Sequence, residues 1–398
     1  MTKDGFQTSG QDEAYFYKYE KGELVGQVAV HVDDFIIAGS TKFVSDVITL
    51  VSETLRVSKV EYDKFRFTGV DVCKDKDGNI QVSMEAYAKS IEKIPVFRKG
   101  DNASPVTEVE RKLYKKYVGK LLWLSENARP DLAYTALDMS RKATKATLKD
   151  LKAINGVVDL IHSRENRIVI KRVGEKEDLI IKSLCDASFF TTEPSVMGEI
   201  ILLGNKKTNA VAPLFWKSKS ITRTCESSKA AETRACGTCV GDSVYSAERI
   251  EKMLHGESKK RIKVELHTDS EPLIESIKST KRVEDKSLSN VMEKLKEEMM
   301  LENVSQYSYI STRDNAADIL TKRKTETQDF YGLFLYGIFD KASMRKMVKL
   351  VKREHAWEIR MFENGEDRDG SVTVPVTNQE ANLVDVKSKS RFEETGGE

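Results

Sequence analysis

The sequence predicts an α/β protein: a small α+β part and a helical stretch, followed by a mixed five-stranded sheet with flanking helices. Three observations predict it. Residues 14–83 read as short strands around one amphipathic helix, and residues 106–163 carry three successive helical patterns. Residues 176–325 run three strands in a meander before helix and strand alternate. A meander followed by alternation is the order of a mixed sheet covered by helices, not of a bundle or a sandwich.

Taken in order, Tyr15-Phe16-Tyr17, a polar turn at Lys21-Gly22-Glu23, Val25–His31 and Phe35–Gly39 form a meander whose last tip holds Asp33 and Asp34. Phe43, Val47, Ile48, Val51 and Leu55 recur at helical spacing, with Ser40 or Thr41 as the cap. Val60–Val72 and Ile80–Ser83 read as a second hairpin around Asp77-Gly78, a pair suited to a type I′ turn. Leu113–Asn127, Pro130–Thr144 and Leu148–Ser163 are amphipathic helices, and Pro130 suits a first turn because it has no N–H to lose there. Arg167–Val173 returns to strand.

The later strands are Leu179–Phe190, Met197–Leu203, Ala212–Lys219, Ile262–Thr268 and Gln306–Ser311. The helices are Ser227–Leu254, Glu271–Lys278, Lys286–Glu302 and Asn315–Lys322. Beyond Gln328 an amphipathic helix is expected to about His355, and residues 364–398, charged and poor in aromatics, read as disordered. The organisation expected is therefore 1–105, 106–175, 176–325 and 326–398.

Composition narrows the function classes. The chain has 398 residues, with 65 basic and 63 acidic side chains, so its net charge of +2 argues against a histone-like binder. A local basic groove remains compatible, because local charge is what meets a phosphate backbone. The clusters Lys259-Lys260-Arg261, Lys278/Lys281/Arg282 and Arg345–Arg353 read either as solvated faces or as phosphate contacts. No run approaches the ~18–20 apolar residues of a membrane span, and Met1–Gln11 lacks a signal-peptide core. No membrane partner is expected. Five scattered cysteines suit a reduced, intracellular protein of cytoplasm or nucleus. Cys236-Gly237-Thr238-Cys239 lies in a predicted helix with no second pair at zinc spacing, so a packed thiol pair is expected. His255 and His267 complete no zinc set either, and Trp123 and Trp216 are expected in the core.

Four acidic residues of 176–325 stand apart. Asp186 lies on the first strand, Glu232 in the first turns of the long helix, Asp269 at the end of the fourth strand and Asp318 at the start of the last helix. Each alone is also explained as a turn or cap residue. Their joint pattern brings carboxylates together where they would repel and raise one another's pKa, unless a cation neutralises them. Mg²⁺ or Mn²⁺, hard ions with oxygen ligands, fit that need. Two such ions can activate a water and stabilise the leaving oxygen of a phosphodiester.

The order Asp186, Glu232, Asp269, Asp318, with Leu214-Phe215-Trp216-Lys217-Ser218-Lys219, Ala230-Ala231-Glu232-Thr233 and Ala317-Asp318-Ile319-Leu320-Thr321-Lys322, resembles the ribonuclease H domain of copia-type LTR retrotransposon Pol polyproteins. Upstream, His31-Val32-Asp33-Asp34 resembles the Tyr-X-Asp-Asp box of the reverse transcriptase palm, and Ala128-Arg129-Pro130-Asp131-Leu132-Ala133-Tyr134 the segment that follows it. The resemblance runs from about Gly5 to Arg323 and implies a partial palm, a thumb-like helical segment and a complete ribonuclease H fold. It implies that Asp33 and Asp34 are the polymerase pair. Asp186, Glu232, Asp269 and Asp318 would be the metal ligands of a site that cuts RNA in an RNA–DNA hybrid, and the resemblance makes a virus-like particle one of the intracellular settings compatible with the chain.

Three departures qualify it. His31 stands where the family has Tyr, and Glu193-Pro194-Ser195-Val196-Met197-Gly198 stands where it has Lys-Ser-Thr-Ser-Gly. The fingers, and the palm strand with the third catalytic Asp, would fall upstream of residue 1, so no autonomous DNA synthesis on an RNA or DNA template is expected. The alternative is a relic, or a domesticated module that grips nucleic acid without cutting it. The sequence carries no signal of oligomeric state.

Overall fold

The computed structural model describes residues 5–8, 12–95, 97–256, 262–280, 285–323, 332–339 and 382–389. The chain divides into two units, residues 1–67 with 338–398, and residues 68–337. The expected segment 1–105 is thus shared between them. The helix expected past Gln328 and the clusters Lys259–Arg261, Lys281/Arg282 and Arg345–Arg353 lie largely outside the described residues. Gly332–Tyr336 makes a single π-helical turn, which stops at Gly337, whose φ is +60°.

In the first unit, β1 (Gln7–Thr8), β2 (Tyr15–Glu20), β3 (Glu23–His31) and β4 (Asp34–Gly39) form the expected meander. Helix α1 (Thr41–Thr54) follows, capped by Ser40, whose Oγ accepts from Phe43 N at 3.3 Å. Its buried face, Phe43, Val44, Val47 and Val51, packs on Val28 and Ile37. The cross-strand pair Gly26–Gly39 makes room for the Phe43 ring: a Cβ on Gly26 would lie 2.1 Å from it. Two strands follow, β5 (Arg56–Tyr62) and β6 (Lys64–Phe67). The single strand expected over Val60–Val72 is broken by positive φ at Asp63, Thr68 and Gly69.

The last strand of this sheet corrects an expectation. Asn382–Lys389, within the stretch read as disordered, is a strand inserted antiparallel between β4 and β5. Val384 and Val386 are fully buried in the same core as α1. Alternation of apolar residues gives this short segment one face to bury, which its polar surroundings hide in any composition average.

In the second unit, β7 (Val70–Lys74) and β8 (Ile80–Ser83) form the expected hairpin, but the turn is not type I′. Gly78 has φ +78° while Asp77 does not take a positive φ, and Asp75 Oδ1 holds the Asp77 and Asn79 N–H groups at 3.0 and 2.8 Å. A carboxylate that caps its own loop replaces the second left-handed residue. Short α2 (Glu85–Lys89) leads to α3 (Glu108–Asn127), α4 (Ala133–Lys142) and α5 (Leu148–His162). Capping boxes start two of them, Thr107 with Glu110 and Thr147 with Asp150. Arg129 is buried between these helices, bidentate on Asp131 at 2.7 and 2.8 Å and bonded to Asn166 Oδ1 at 2.7 Å. The Ala-Arg-Pro-Asp run therefore ties α3 to α4 and α5. Strand β9 (Arg167–Ile170) pairs with β8.

The rest builds one sheet: β10 (Leu179–Ser188), β11 (Val196–Asn205), β12 (Val211–Ser220), then α6 (Ser228–His255), β13 (Val264–Thr268), α7 (Glu271–Lys278), α8 (Lys286–Met300) and β14 (Val304–Tyr309). The strand order is β12-β11-β10-β13-β14, with the first three antiparallel and the last two parallel. Cys236 and Cys239 of α6 are free, fully buried thiols packed with Cys185 of β10. Trp123 departs from expectation: it is 41% exposed on α3. Trp216 is half-buried, donates to Ser125 O at 2.8 Å and meets the Phe334 ring edge-on.

Candidate functional site

The central strand β10 is buried along its whole length, Asp186 included. Register fixes what lies beside it. Leu184 pairs with His267 on parallel β13, so two residues further on Asp269 comes level with Asp186. Glu232 arrives from the second turn of α6, where Ala231 and Ala235, both fully buried, bring the helix close to the strand. Its Oε1 accepts from Ala187 N at 3.2 Å. Ligand oxygens of Asp186, Glu232 and Asp269 all lie within 4.8 Å of one another. Among the described residues this is the group that could hold a metal ion.

Asp318 comes from the opposite face of the sheet. The helix expected over Asn315–Lys322 is a short 3₁₀ segment, Ala316–Leu320, pinned by hydrogen bonds to β10 and β12. Asn315 Nδ2 donates to Cys185 O at 2.9 Å, Ser188 Oγ to Thr321 O at 2.9 Å and Ser218 Oγ to Leu320 O at 2.6 Å. Gly198, directly opposite Asp186, permits the approach: a Cβ there would lie 2.7 Å from Leu320 Cβ and 2.8 Å from Ala317 O. Asp318 is fully buried, with Lys322 Nζ 2.5 Å from its Oδ1.

The electrostatics follow from burial. Burial pushes Asp186 up to about 7, against Lys322 and the Thr321 hydroxyl, which donates to Asp186 Oδ2. Burial and the adjacent Asp186 push Glu232 up to about 10, and its Oε2 is buried without a hydrogen bond. Carboxyls that resist ionisation together, one with an orphaned oxygen, form a donor set that a hard divalent cation satisfies. Asp186, Glu232 and Asp269 fit a divalent cation.

The Leu214–Lys219 motif resolves into supports. Lys217 Nζ lies 2.9 Å from Glu199 and 2.8 Å from Asp242, neutralising a carboxylate that is fully buried. Ser218 holds the 3₁₀ segment as described.

The hairpin tip belongs to the first unit. His31 pairs with Asp34 across a two-residue turn, Val32-Asp33. Val32 has φ +56°, where a β-branched residue is rarely found, and is 82% exposed. The His31 ring stands edge-on to Phe67. Sequence reasoning missed a third carboxylate in this unit. Asp385 of the C-terminal strand sits opposite Ile36, two residues along the ladder from the Lys387–Asp34 pair. It is fully buried, and burial pushes it up to about 6, with Asp34 and Glu61 adding to the effect and Lys387 opposing it. The available signal was the Val384-Asp385-Val386 alternation. Gly198, Thr321 and Lys322 were quoted within motifs, but no pattern pointed to their parts in the site.

No known family model matches the chain. It is 25% identical over 238 residues to a transposon Ty5-1 protein of Saccharomyces cerevisiae, covering 56% of this chain and 74% of that one. A compost-derived RNase H1 structure is 20% identical, covering 35% of this chain and 91% of that one, with a TM-score of 0.27. A foamy viral protease–reverse transcriptase in complex with an RNA/DNA hybrid is 14% identical, covering 75% and 37%, with a TM-score of 0.42. The chain is thus similar to a transposon protein, and its β12-β11-β10-β13-β14 order is that of a mixed five-stranded sheet, which α6 to α8 accompany.

Proposed function

We propose that the chain is a ribonuclease H-type nuclease that hydrolyses the RNA strand of an RNA–DNA hybrid with Mg²⁺ or Mn²⁺. The observation that carries this reading is the convergence of Asp186, Glu232 and Asp269, with Glu232 Oε2 buried and without a hydrogen bond. Asp186 and Asp269 would flank the ions, Glu232 would complete the set and Asp318 would help place a second ion. When bound, such ions activate the attacking water and stabilise the leaving oxygen. The chain's own groups prepare the site. The Thr321 hydroxyl fixes one Asp186 oxygen, the Ala187 N–H fixes one Glu232 oxygen, and Gly198 lets Asp318 come down onto the sheet. Intracellular localisation belongs to the same proposal. Asp33 and Asp34 are not assigned an activity of their own, because three ligating groups converge at Asp186 and not at the hairpin tip among the described residues.

The test is a substrate panel with the full chain: labelled RNA–DNA hybrid, single-stranded RNA, duplex RNA and duplex DNA, each with Mg²⁺ and with EDTA. Cleavage of the hybrid's RNA strand alone, abolished by EDTA, is expected. Tight hybrid binding in EDTA with no cleavage in Mg²⁺ would instead support a non-cutting nucleic-acid module.

A further inference from the structure

Lys322 stands between two of the four carboxylates. Its Nζ lies 2.5 Å from Asp318 Oδ1 and 3.8 Å from Asp186 Oδ2. It follows Asp318 by four positions, past the Thr321 whose hydroxyl binds Asp186. The two carboxylates are almost wholly buried, but the Lys322 side chain is 41% exposed. An ammonium on a flexible four-carbon stem is a compact charge that can leave toward solvent. Its ion pairs are with these two carboxylates, while Asp269, whose ligand oxygen lies near those of Asp186 and Glu232, acts on it only at longer range.

The site is therefore unequal. Asp186, Glu232 and Asp269 bring ligand oxygens together, whereas Asp318 with Asp186 already holds a cation, closest to Asp318. An ammonium and a divalent ion cannot share that second place, because both need the same oxygens and repel each other.

We propose that Lys322 is a built-in cation that occupies the second metal position, so that one divalent ion enters readily and a second enters only as Lys322 swings out to solvent. The inference rests on the metal-site reading of the four carboxylates and adds an order of loading to it. A lysine of this kind would hold the site together at low metal and delay a fully loaded state until metal is plentiful. It is a gate on metal uptake and not a group that touches substrate.

The experiment counts bound Mn²⁺ on the full chain by the electron paramagnetic resonance signal of the free ion, with no substrate present. Wild type is expected to bind one ion well and a second at least tenfold more weakly. Lys322→Met should tighten the second ion to within a few-fold of the first, and Lys322→Arg should keep the wild-type inequality. Two ions of unchanged affinities in Lys322→Met would overturn the gate while leaving the carboxylate site intact. A titration of Asp186→Asn that superimposes on wild type would overturn the site reading itself, and the gate with it. A second measurement needs no substitution. The Lys322 ammonium nitrogen resonance, followed during Mg²⁺ addition, should shift with the second equivalent and not with the first. A signal unchanged through both equivalents would overturn the proposal.

Discussion

Gly198 shows how one missing side chain can set a whole site. It lies opposite Asp186 on β11, beneath the segment that brings Asp318. Leu320 Cβ, Ala317 O and Thr321 Cγ2 would all lie under 3 Å from any added Cβ. Two of those belong to the packed backbone and stem of the segment, so the segment and not a side-chain tip must give way. Gly198→Ala is expected to lift the 3₁₀ segment, cost about 1–3 kcal/mol of stability and weaken the second Mn²⁺ more than the first. Chemical denaturation and the Mn²⁺ titration check both. An equally stable variant with unchanged metal binding would mean that the close approach is unimportant. Arg129 is the contrasting case. It too lies in a motif, but its bonds to Asp131 and Asn166 make it a support between helices.

At the scale of elements, the C-terminal strand is the instructive one. Val384 and Val386 complete the core under α1, while Asp385 points to the other face of the ladder. Val384→Asp places a carboxylate in that core and is expected to cost several kcal/mol. It should expose the amides of β4 and β5 to hydrogen exchange and leave those of β10 to β14 protected. Uniform loss of protection would contradict the division into two units.

The same strand marks the limit of what the sequence made legible. Helices α1 and α3 to α6 were readable from apolar spacing, and in α1, α3, α5 and α6 the structure adds caps: Ser40, Thr107, Thr147 and Ser227 each accept from the N–H three residues on. Asp186, Glu232 and Asp269 were readable as a set because strand, helix and strand end recur in one α/β unit. Their convergence rests on the parallel register of β10 and β13, a pairing between residues some eighty apart that no local pattern encodes. The 3₁₀ segment was read as a helix because Ala316–Leu320 has helical composition, while the bonds from Asn315, Ser188 and Ser218 hold it to one short turn. Asp385 was hidden because residues 338–381 separate its strand from Gly337, the last residue of the second unit.

For the whole molecule, the buried carboxyls link metal, pH and stability. Asp186 ordinarily ionises near 3.8 and is pushed up to about 7 by burial; Glu232 moves in the same direction, to about 10. Folded protein thus holds protons that the unfolded chain has released, so metal-free stability falls as pH rises from about 4 through 7. A divalent cation removes that cost and competes with the protons. The Mg²⁺-induced rise in Tm is therefore expected to be larger at pH 8 than at pH 5.5, and this pH dependence should shrink in Asp186→Asn. An equal rise at both pH values would place the bound Mg²⁺ away from these groups.

The central claim is that Asp186 anchors a metal-dependent cut in the RNA of a hybrid. Its most direct test compares cleavage of a labelled RNA–DNA hybrid in Mg²⁺ by the full chain and by its Asp186→Asn variant, each shown to be folded by circular dichroism. Cleavage by the parent and its loss, by at least a hundredfold, in the variant is the predicted result. Undiminished cleavage by Asp186→Asn would contradict the account.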